Sequence, residues 1–216
     1  MAKEHDDFVS NAQHPQSLRT LASRGDARRY RRGTILIHEG EVGDTLFIVL
    51  SGRVKVYCTD SNDKEITFGI FGAGDYFGEM ALDGGTRSAS VITLEPTVCA
   101  VIHRPALMHY IGERPEFAIE LLSKVIQRLR MATRDARNLA FIDVYGRITR
   151  QINDMVTLQP DGRRMTTERI THQAIASRAG CSREMVSRIL KDLVSGGYLA
   201  IEDRQIVLHA KLPLRW

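Results

Sequence analysis

Residues 166–193, TTERITHQAIASRAGCSREMVSRILKDL, decide how the chain reads. Ile170, Ala174, Ile175 and Ala179 give a first helical segment its apolar side, and Gly180 ends it. Ser182 then opens a second helix, because its hydroxyl can cap the exposed N–H groups of the following turn. In that second helix Met185, Val186, Ile189, Leu190 and Leu193 recur at spacings of three and four and form one apolar stripe. Arg183, Glu184, Ser187, Arg188 and Lys191 project from the opposite side. Such a face suits the base edges and phosphates of a major groove. It equally suits a solvated surface helix in an ordinary helical pair, and the rest of the chain separates the two.

Composition sets the frame. The chain has 216 residues, 43% apolar and 26% charged, which fits a folded globular protein long enough for two modest domains. No apolar run is long enough to span a bilayer, and the polar start MAKEHDDFVSNAQHPQSL is unlike a secretory signal. Cys58, Cys99 and Cys181 are far apart, without the paired spacing of a zinc or iron–sulfur site. A sparse, odd cysteine count fits a reducing cytoplasm, so a cytoplasmic protein without a metal or membrane anchor is expected. The net charge is +4. Residues 1–140 hold 18 Lys/Arg and 18 Asp/Glu, whereas residues 141–216 hold 12 and 8. The whole excess therefore lies with the helix–turn–helix pattern, which favours a polyanion as its partner.

Upstream, residues 33–103 are punctuated by ten glycines with short apolar or β-branched runs between them, at 34–37, 46–50, 54–57, 66–70, 90–93 and 98–102. That pattern predicts an antiparallel sandwich or barrel, with a hairpin turn at Asn62-Asp63. After Pro115 it changes. From Glu116 to about Ile142 there is neither glycine nor proline, and Ile119, Leu122, Ile126, Leu129, Thr133, Ala136 and Ala140 recur as a heptad seam. A second stripe, Phe117, Leu121 and Val125, is placed to cover the β-domain. One amphipathic helix on a monomer's core is the alternative, but its length and two stripes favour a homodimer. Downstream of a helical stretch at 144–156 and a Pro-Asp-Gly turn at 160–162 comes the helix–turn–helix. Two strand-like runs, 198–201 and 205–209, then flank Glu202-Asp203. This order describes a winged helix. The N-terminal 25 residues carry no readable pattern and are taken as an arm.

A second chemically loaded segment spans 74–90, GDYFGEMALDGGTRSAS. Gly78 permits close backbone approach, and Glu79, Met80, Ala81 and Leu82 can form one helical turn with outward N–H groups, a phosphate-binding device. Arg87 adds a forked charge and Ser88 a hydroxyl, leaving Glu79 to accept from sugar hydroxyls. The set fits a small phosphorylated sugar. The plainer alternative is that Glu79 and Arg87 pair only with each other. Neither a nucleophile–base motif nor a metal cluster is visible, so an enzyme is not expected.

Gly78-Glu79-Met80-Ala81-Leu82 with Thr86-Arg87-Ser88-Ala89 closely resembles the phosphate-binding cassette of the cyclic-AMP receptor proteins of the Crp–Fnr superfamily. Residues 138–144 with Gly146-Arg147-Ile148 resemble their hinge, and Gly180-Cys181-Ser182-Arg183-Glu184 with Arg188 their recognition helix. The resemblance runs from about Arg32 to Leu208. It implies an α+β chain with a jelly-roll-like cyclic-nucleotide-binding β-roll (1–115), a dimerisation helix and hinge (116–142), and a winged helix–turn–helix (143–216). It also implies an allosteric transcription regulator of double-stranded DNA, with RNA polymerase as a further partner.

By the same resemblance, the cyclic phosphate lies against Arg87, Ser88 and the Met80–Ala81 backbone, and the ribose 2′-hydroxyl against Glu79 and Gly78. The family presents two adjacent long-helix hydroxyls to the purine. Here those positions are Ala132 and Thr133, so only Thr133 can contact the base. Cyclic AMP is the expected ligand, with cyclic GMP, cyclic di-GMP or ligand-free action as alternatives. On DNA, Ser182, Arg183, Glu184, Ser187, Arg188 and Lys191 form the expected contact set. Arg183 and Arg188 would engage guanine and Glu184 a cytosine amino group, giving TGTGA-like half-sites in a near-palindrome. The N-terminal cysteine cluster of the Fnr branch is missing. His14, His38, His103 and His109 are scattered, as structural or solvent-facing histidines are.

Overall fold

The computed structural model describes residues 2–12, 14–61 and 65–213. The chain divides into two compact units. One is built from residues up to Cys58 and from Thr67 to Gln127, the other from Thr59–Ile66 and from Arg128 onward.

The first unit begins with α1 (Ala2–Ser10) and α2 (Gln16–Ala22). The strands β1 (Asp26–Tyr30), β2 (Ile35–Ile37), β3 (Thr45–Ser51), β4 (Val54–Thr59), β5 (Glu65–Phe71) and β6 (Tyr76–Phe77) follow. A 3₁₀ turn (Glu79–Asp83), β7 (Ser90–Thr93), β8 (Thr97–His103), α3 (Arg104–Glu113) and the first half of α4 (Glu116–Phe141) complete it. Two four-stranded sheets, in the orders β1-β8-β3-β6 and β2-β7-β4-β5, make the expected β-roll. Its antiparallel ladders place Leu46 opposite Ile102 and Ile48 opposite Ala100.

The two central strands are apolar at nearly every position because both of their faces are buried. Leu46, Ile48, Leu50, Val98, Ala100 and Ile102 point to one core, shared with helices. Phe47, Val49, Cys99 and Val101 alternate onto the other, against Val54 and Val91 of the second sheet. Burial there pushes the Cys99 thiol up to about 12.

The N-terminal residues depart from the expected arm. Phe8, Leu18, Leu21 and Ala22 are buried in the helix-side core, and the Tyr110 hydroxyl donates to the Ser17 carbonyl at 2.6 Å. Each helix is too short to carry a periodic signature, and only packing, of α1 on α2 and β3 and of α2 on β8, reveals its apolar side. Strand β1, DARRY, is equally opaque: as a sheet-edge strand it can carry the charges of Asp26, Arg28 and Arg29. The Asn62-Asp63 turn lies outside the described residues.

Helix α4 runs almost as its composition predicts. Of its second stripe, Phe117 is fully buried and Leu121 packs on the helix-side core. The heptad seam faces outward: Ile119 and Leu129 are each 64% exposed and Leu122 53%.

The second unit holds α5 (Val144–Met155), β9 (Val156–Leu158), β10 (Arg164–Thr166), α6 (His172–Ala179), α7 (Arg183–Ser195), β11 (Leu199–Glu202) and β12 (Gln205–Leu208). The Asp143 side chain caps α5 by accepting from the Gly146 N–H at 2.7 Å. Ile148, Ile152, Ile175, Val186, Leu190, Leu193, Leu199 and Ile206 close one core, and the strands pair in the order β11-β12-β10-β9. This is a winged helix. Sequence reasoning anticipated β11 and β12 but not the short β9 and β10, whose three residues each carry no usable alternation. Leu21→Ala is expected to lower folding stability by about 2–5 kcal/mol in chemical denaturation, whereas a loose arm would leave it unchanged.

Candidate ligand and nucleic-acid sites

The 79–83 segment forms the anticipated single helical turn, of the 3₁₀ kind, directly after β6. Gly78 enters it with φ +90°, and a Cβ there would lie 2.6 Å from the Thr45 carbonyl and 2.7 Å from Arg87 Nη1. Only glycine fits.

Arg87 is the organising residue. It is 7% exposed, and its Nη1 donates to the carbonyls of Thr45 (3.0 Å) and Gly78 (2.9 Å). Nη2 donates to Thr45 Oγ1 at 2.8 Å. Its main chain is tied as well: Gly40 N–H donates to Arg87 O, and Arg87 N–H to Glu41 O, both at 2.8 Å. Burial pulls the guanidinium below its usual range, while Asp44, Glu79 and Glu41 push it back up. These bonds leave the Nε proton and one Nη2 proton of Arg87 uncommitted among the described residues.

Glu79 therefore acts on Arg87 as one of three nearby carboxylates, and the guanidinium is held chiefly by Thr45 and Gly78. The pairing of Glu79 and Arg87 alone, considered from sequence, is not what anchors the loop. Thr45 and Gly43 were missed. A Cβ on Gly43 would lie 2.7 Å from Arg87 Nε, so its smallness admits the arginine. Gly43 carried a weak signal as a glycine, and Thr45 carried none. Ser88 and Met80 are exposed, and the serine hydroxyl donates to the Met80 sulfur at 3.1 Å. Ala81 lies within the 3₁₀ turn. The structure thus brings Gly78, Glu79, Met80, Ala81, Arg87 and Ser88 together. Thr133 belongs to the second unit, where it is exposed on α4 and its hydroxyl donates to the Leu129 carbonyl at 2.9 Å.

In the second unit, Gly180 ends α6 in the left-handed conformation at φ +63°. Ser182 Oγ accepts from the Met185 N–H at 3.2 Å, the cap expected of it. Thr171 caps α6 in the same way, accepting from Ala174 N–H. Arg183, Glu184, Arg188 and Lys191 lie exposed along one side of α7, opposite buried Val186, Leu190 and Leu193. Arg188 also reaches the Met185 sulfur through Nη2 at 3.0 Å. Ser187 differs from these four. It is half-buried, its hydroxyl donates to the Arg183 carbonyl at 3.0 Å, and His172 Nδ1 approaches at 2.8 Å. With its one proton on Arg183, Ser187 must accept from His172, which requires the Nδ1–H form of the ring. Sequence reasoning missed His172, since a lone histidine at a helix start carries no signal.

Among the described residues no group of three or more His, Cys, Asp or Glu is arranged to hold a metal ion, and no helix is long and apolar enough to cross a membrane.

Comparison with known proteins supplies the family. A cyclic nucleotide-binding domain model matches residues 27–114, and a Crp-like helix–turn–helix domain model matches residues 146–214. A CRP-like cAMP-activated global transcriptional regulator of Mycobacterium tuberculosis is 31% identical over 198 residues, covering 90% of this chain and 88% of that protein. The chain belongs to the Crp–Fnr superfamily of transcription regulators. The cAMP-activated global regulator of Haemophilus influenzae is 35% identical over 188 residues, covering 84% of this Crp–Fnr regulator and 83% of its relative. The fold also matches the c-di-GMP-responsive global regulator CLP of Xanthomonas campestris, with TM-score 0.78 and 29% identity over 90% of this chain and 99% of the other. These relatives are regulators and not enzymes. Gly78→Ala in this Crp–Fnr regulator should lower stability by about 1–3 kcal/mol, through left-handed strain and the clash with Thr45. A calorimetric melting scan measures it.

Proposed function

We propose that this Crp–Fnr regulator binds a 3′,5′-cyclic nucleotide, cyclic AMP before cyclic GMP, through Gly78, Glu79, Met80, Ala81, Arg87 and Ser88. The observation that carries the reading is Arg87: a buried, forked cation beside a 3₁₀ turn, with two protons still to give. A phosphate can take both protons as charge-assisted hydrogen bonds, which neither a sugar hydroxyl nor an apolar ligand supplies. Glu79 has the chemistry to accept from a ribose hydroxyl, and Thr133 to contact the base. A second reading, cyclic di-GMP, is favoured by Ala132, which offers no hydroxyl to a purine, and by the likeness to the c-di-GMP-responsive Xanthomonas regulator.

The regulator acts in the cytoplasm as a homodimer on double-stranded DNA, and through it on RNA polymerase. Exposure of Ile119, Leu122 and Leu129 along one heptad seam supports the dimer, since a partner helix would cover them. The functional partition is then a nucleotide-binding domain (1–115), a dimerising helix (116–142) and a DNA-binding domain (143–216). Ser182, Arg183, Glu184, Ser187, Arg188 and Lys191 form the contact set on TGTGA-like half-sites. The half-buried, doubly bonded Ser187 acts within it by positioning more than by base contact. Ligand shifts the population toward the dimer geometry that suits the operator, so ligand and DNA affinities rise together.

Calorimetry with cyclic AMP, cyclic GMP and cyclic di-GMP, beside operator titrations with each, tests the scheme. Saturating cyclic AMP is expected to tighten binding to a TGTGA palindrome about 5- to 150-fold. Arg87→Lys, which keeps the charge but loses the fork, should weaken nucleotide binding while ligand-free DNA affinity stays unchanged. An operator affinity indifferent to every nucleotide overturns the ligand reading.

A further inference from the structure

Met80 stands where the proposed nucleotide site meets solvent. It is the second residue of the 3₁₀ turn and is 61% exposed, although an apolar side chain gains by burial. Its sulfur accepts a hydrogen bond from the Ser88 hydroxyl at 3.1 Å. Met108 and Met131 are comparably exposed, but neither sulfur takes part in a hydrogen bond among the described residues. Met185, whose sulfur accepts from Arg188, is half-buried. Met80 thus combines open access with a bond to a hydroxyl of the proposed site.

The surroundings leave that hydroxyl little freedom except rotation. Arg87, one residue earlier, is fixed through its guanidinium on Thr45 and Gly78 and through its main chain on Gly40 and Glu41. Gly78, at φ +90°, sets the start of the turn that carries Met80. A serine hydroxyl has one proton to donate and turns to suit its acceptor, and a thioether is a weak acceptor. The Met80 sulfur therefore holds the Ser88 proton lightly, and a phosphate oxygen, as a charged acceptor, takes it over.

Oxidation reverses that order. When a thioether meets a hydroperoxide, an S–O bond forms and the O–O bond breaks. Sulfur loses two electrons, and the peroxide is reduced to water or an alcohol. The product is a polar sulfoxide whose oxygen is a far better acceptor than the sulfur it replaces. On Met80 that oxygen would retain the Ser88 proton. It would also set a partial negative charge beside the donors that a phosphate needs.

We infer that Met80 is a modification site, through which hydroperoxides weaken cyclic-nucleotide binding by tying up the Ser88 hydroxyl. The inference rests on the nucleotide-binding reading of Arg87 and Ser88. Full-length protein is treated with hydrogen peroxide, and mass spectrometry follows oxygen uptake on the Met80 peptide. Calorimetry then titrates it with cyclic AMP, cyclic GMP and cyclic di-GMP. Affinity for the nucleotide that binds should fall about tenfold or more, the loss of one hydrogen bond to a charged group. Methionine sulfoxide reductases should restore it, whereas dithiothreitol, which acts on oxidised cysteines, should not. Met80→Leu keeps every cysteine and the other methionines. Whatever its own affinity, that value should be the same before and after peroxide. Parental affinity with Met80 oxidised, or an equal loss in treated Met80→Leu, would overturn the switch alone. So would a Met80 peptide that takes up no oxygen where Met108 and Met131 do. An untreated parent that binds none of the three nucleotides overturns the nucleotide reading beneath it.

Discussion

A guanidinium removed from water must be surrounded by oxygen, and in this chain Arg87 imposes that requirement on three loops at once. Its side chain takes the Thr45 carbonyl and hydroxyl and the Gly78 carbonyl, and its main chain pairs with Gly40 and Glu41. Leaving any of those acceptors unpaired in a buried setting costs about 1–3 kcal/mol. Removing the arginine would therefore loosen the approach to β3 and the exit from β6 together. The same demand fixes Gly43 and Gly78, where a Cβ would collide with the guanidinium. The proposed nucleotide site is thus a structural joint with donors to spare, and stability and the proposed ligand chemistry meet in one residue.

The second unit solves a different problem, which is to present cations rigidly. Caps at Asp143, Thr171 and Ser182 satisfy the helix starts, and the apolar stripe of α7 is wholly committed to the core. Exposed Arg183, Glu184, Arg188 and Lys191 consequently stand on an anchored helix. The His172–Ser187 contact ties the start of α6 to α7 at 2.8 Å, and the Ile170 N–H donates to the Arg204 carbonyl in the β11–β12 turn at 2.8 Å. Fixed geometry matters here because base edges reward only donors and acceptors held in place, whereas a phosphate tolerates a looser cation.

Legibility followed length and redundancy. The 26 residues of α4 and the repeated apolar spacing of α7 made both helices readable, since tertiary contacts need only confirm a strong local preference. Central strands β3 and β8 were readable as apolar runs between glycines. The cassette and the helix–turn–helix could be read because their chemistry is contiguous: Gly78 to Ser88 and Gly180 to Lys191. Residues that act across the fold were silent. Thr45 lies 42 positions from Arg87, His172 lies 15 from Ser187, and nothing in their own neighbourhoods marks them.

By itself, then, the sequence determined the α+β class and the order of roll, long helix and winged helix, because periodicity, glycine placement and capping are local properties of the chain. Tertiary structure alone decided that Phe8, Leu18, Leu21 and Ala22 join the core. It alone buried Arg87 against Thr45 and Gly78 and tied up the Ser187 hydroxyl. Each of these depends on what a distant strand or helix brings within a few ångströms, and burial and hydrogen bonding are properties of that meeting.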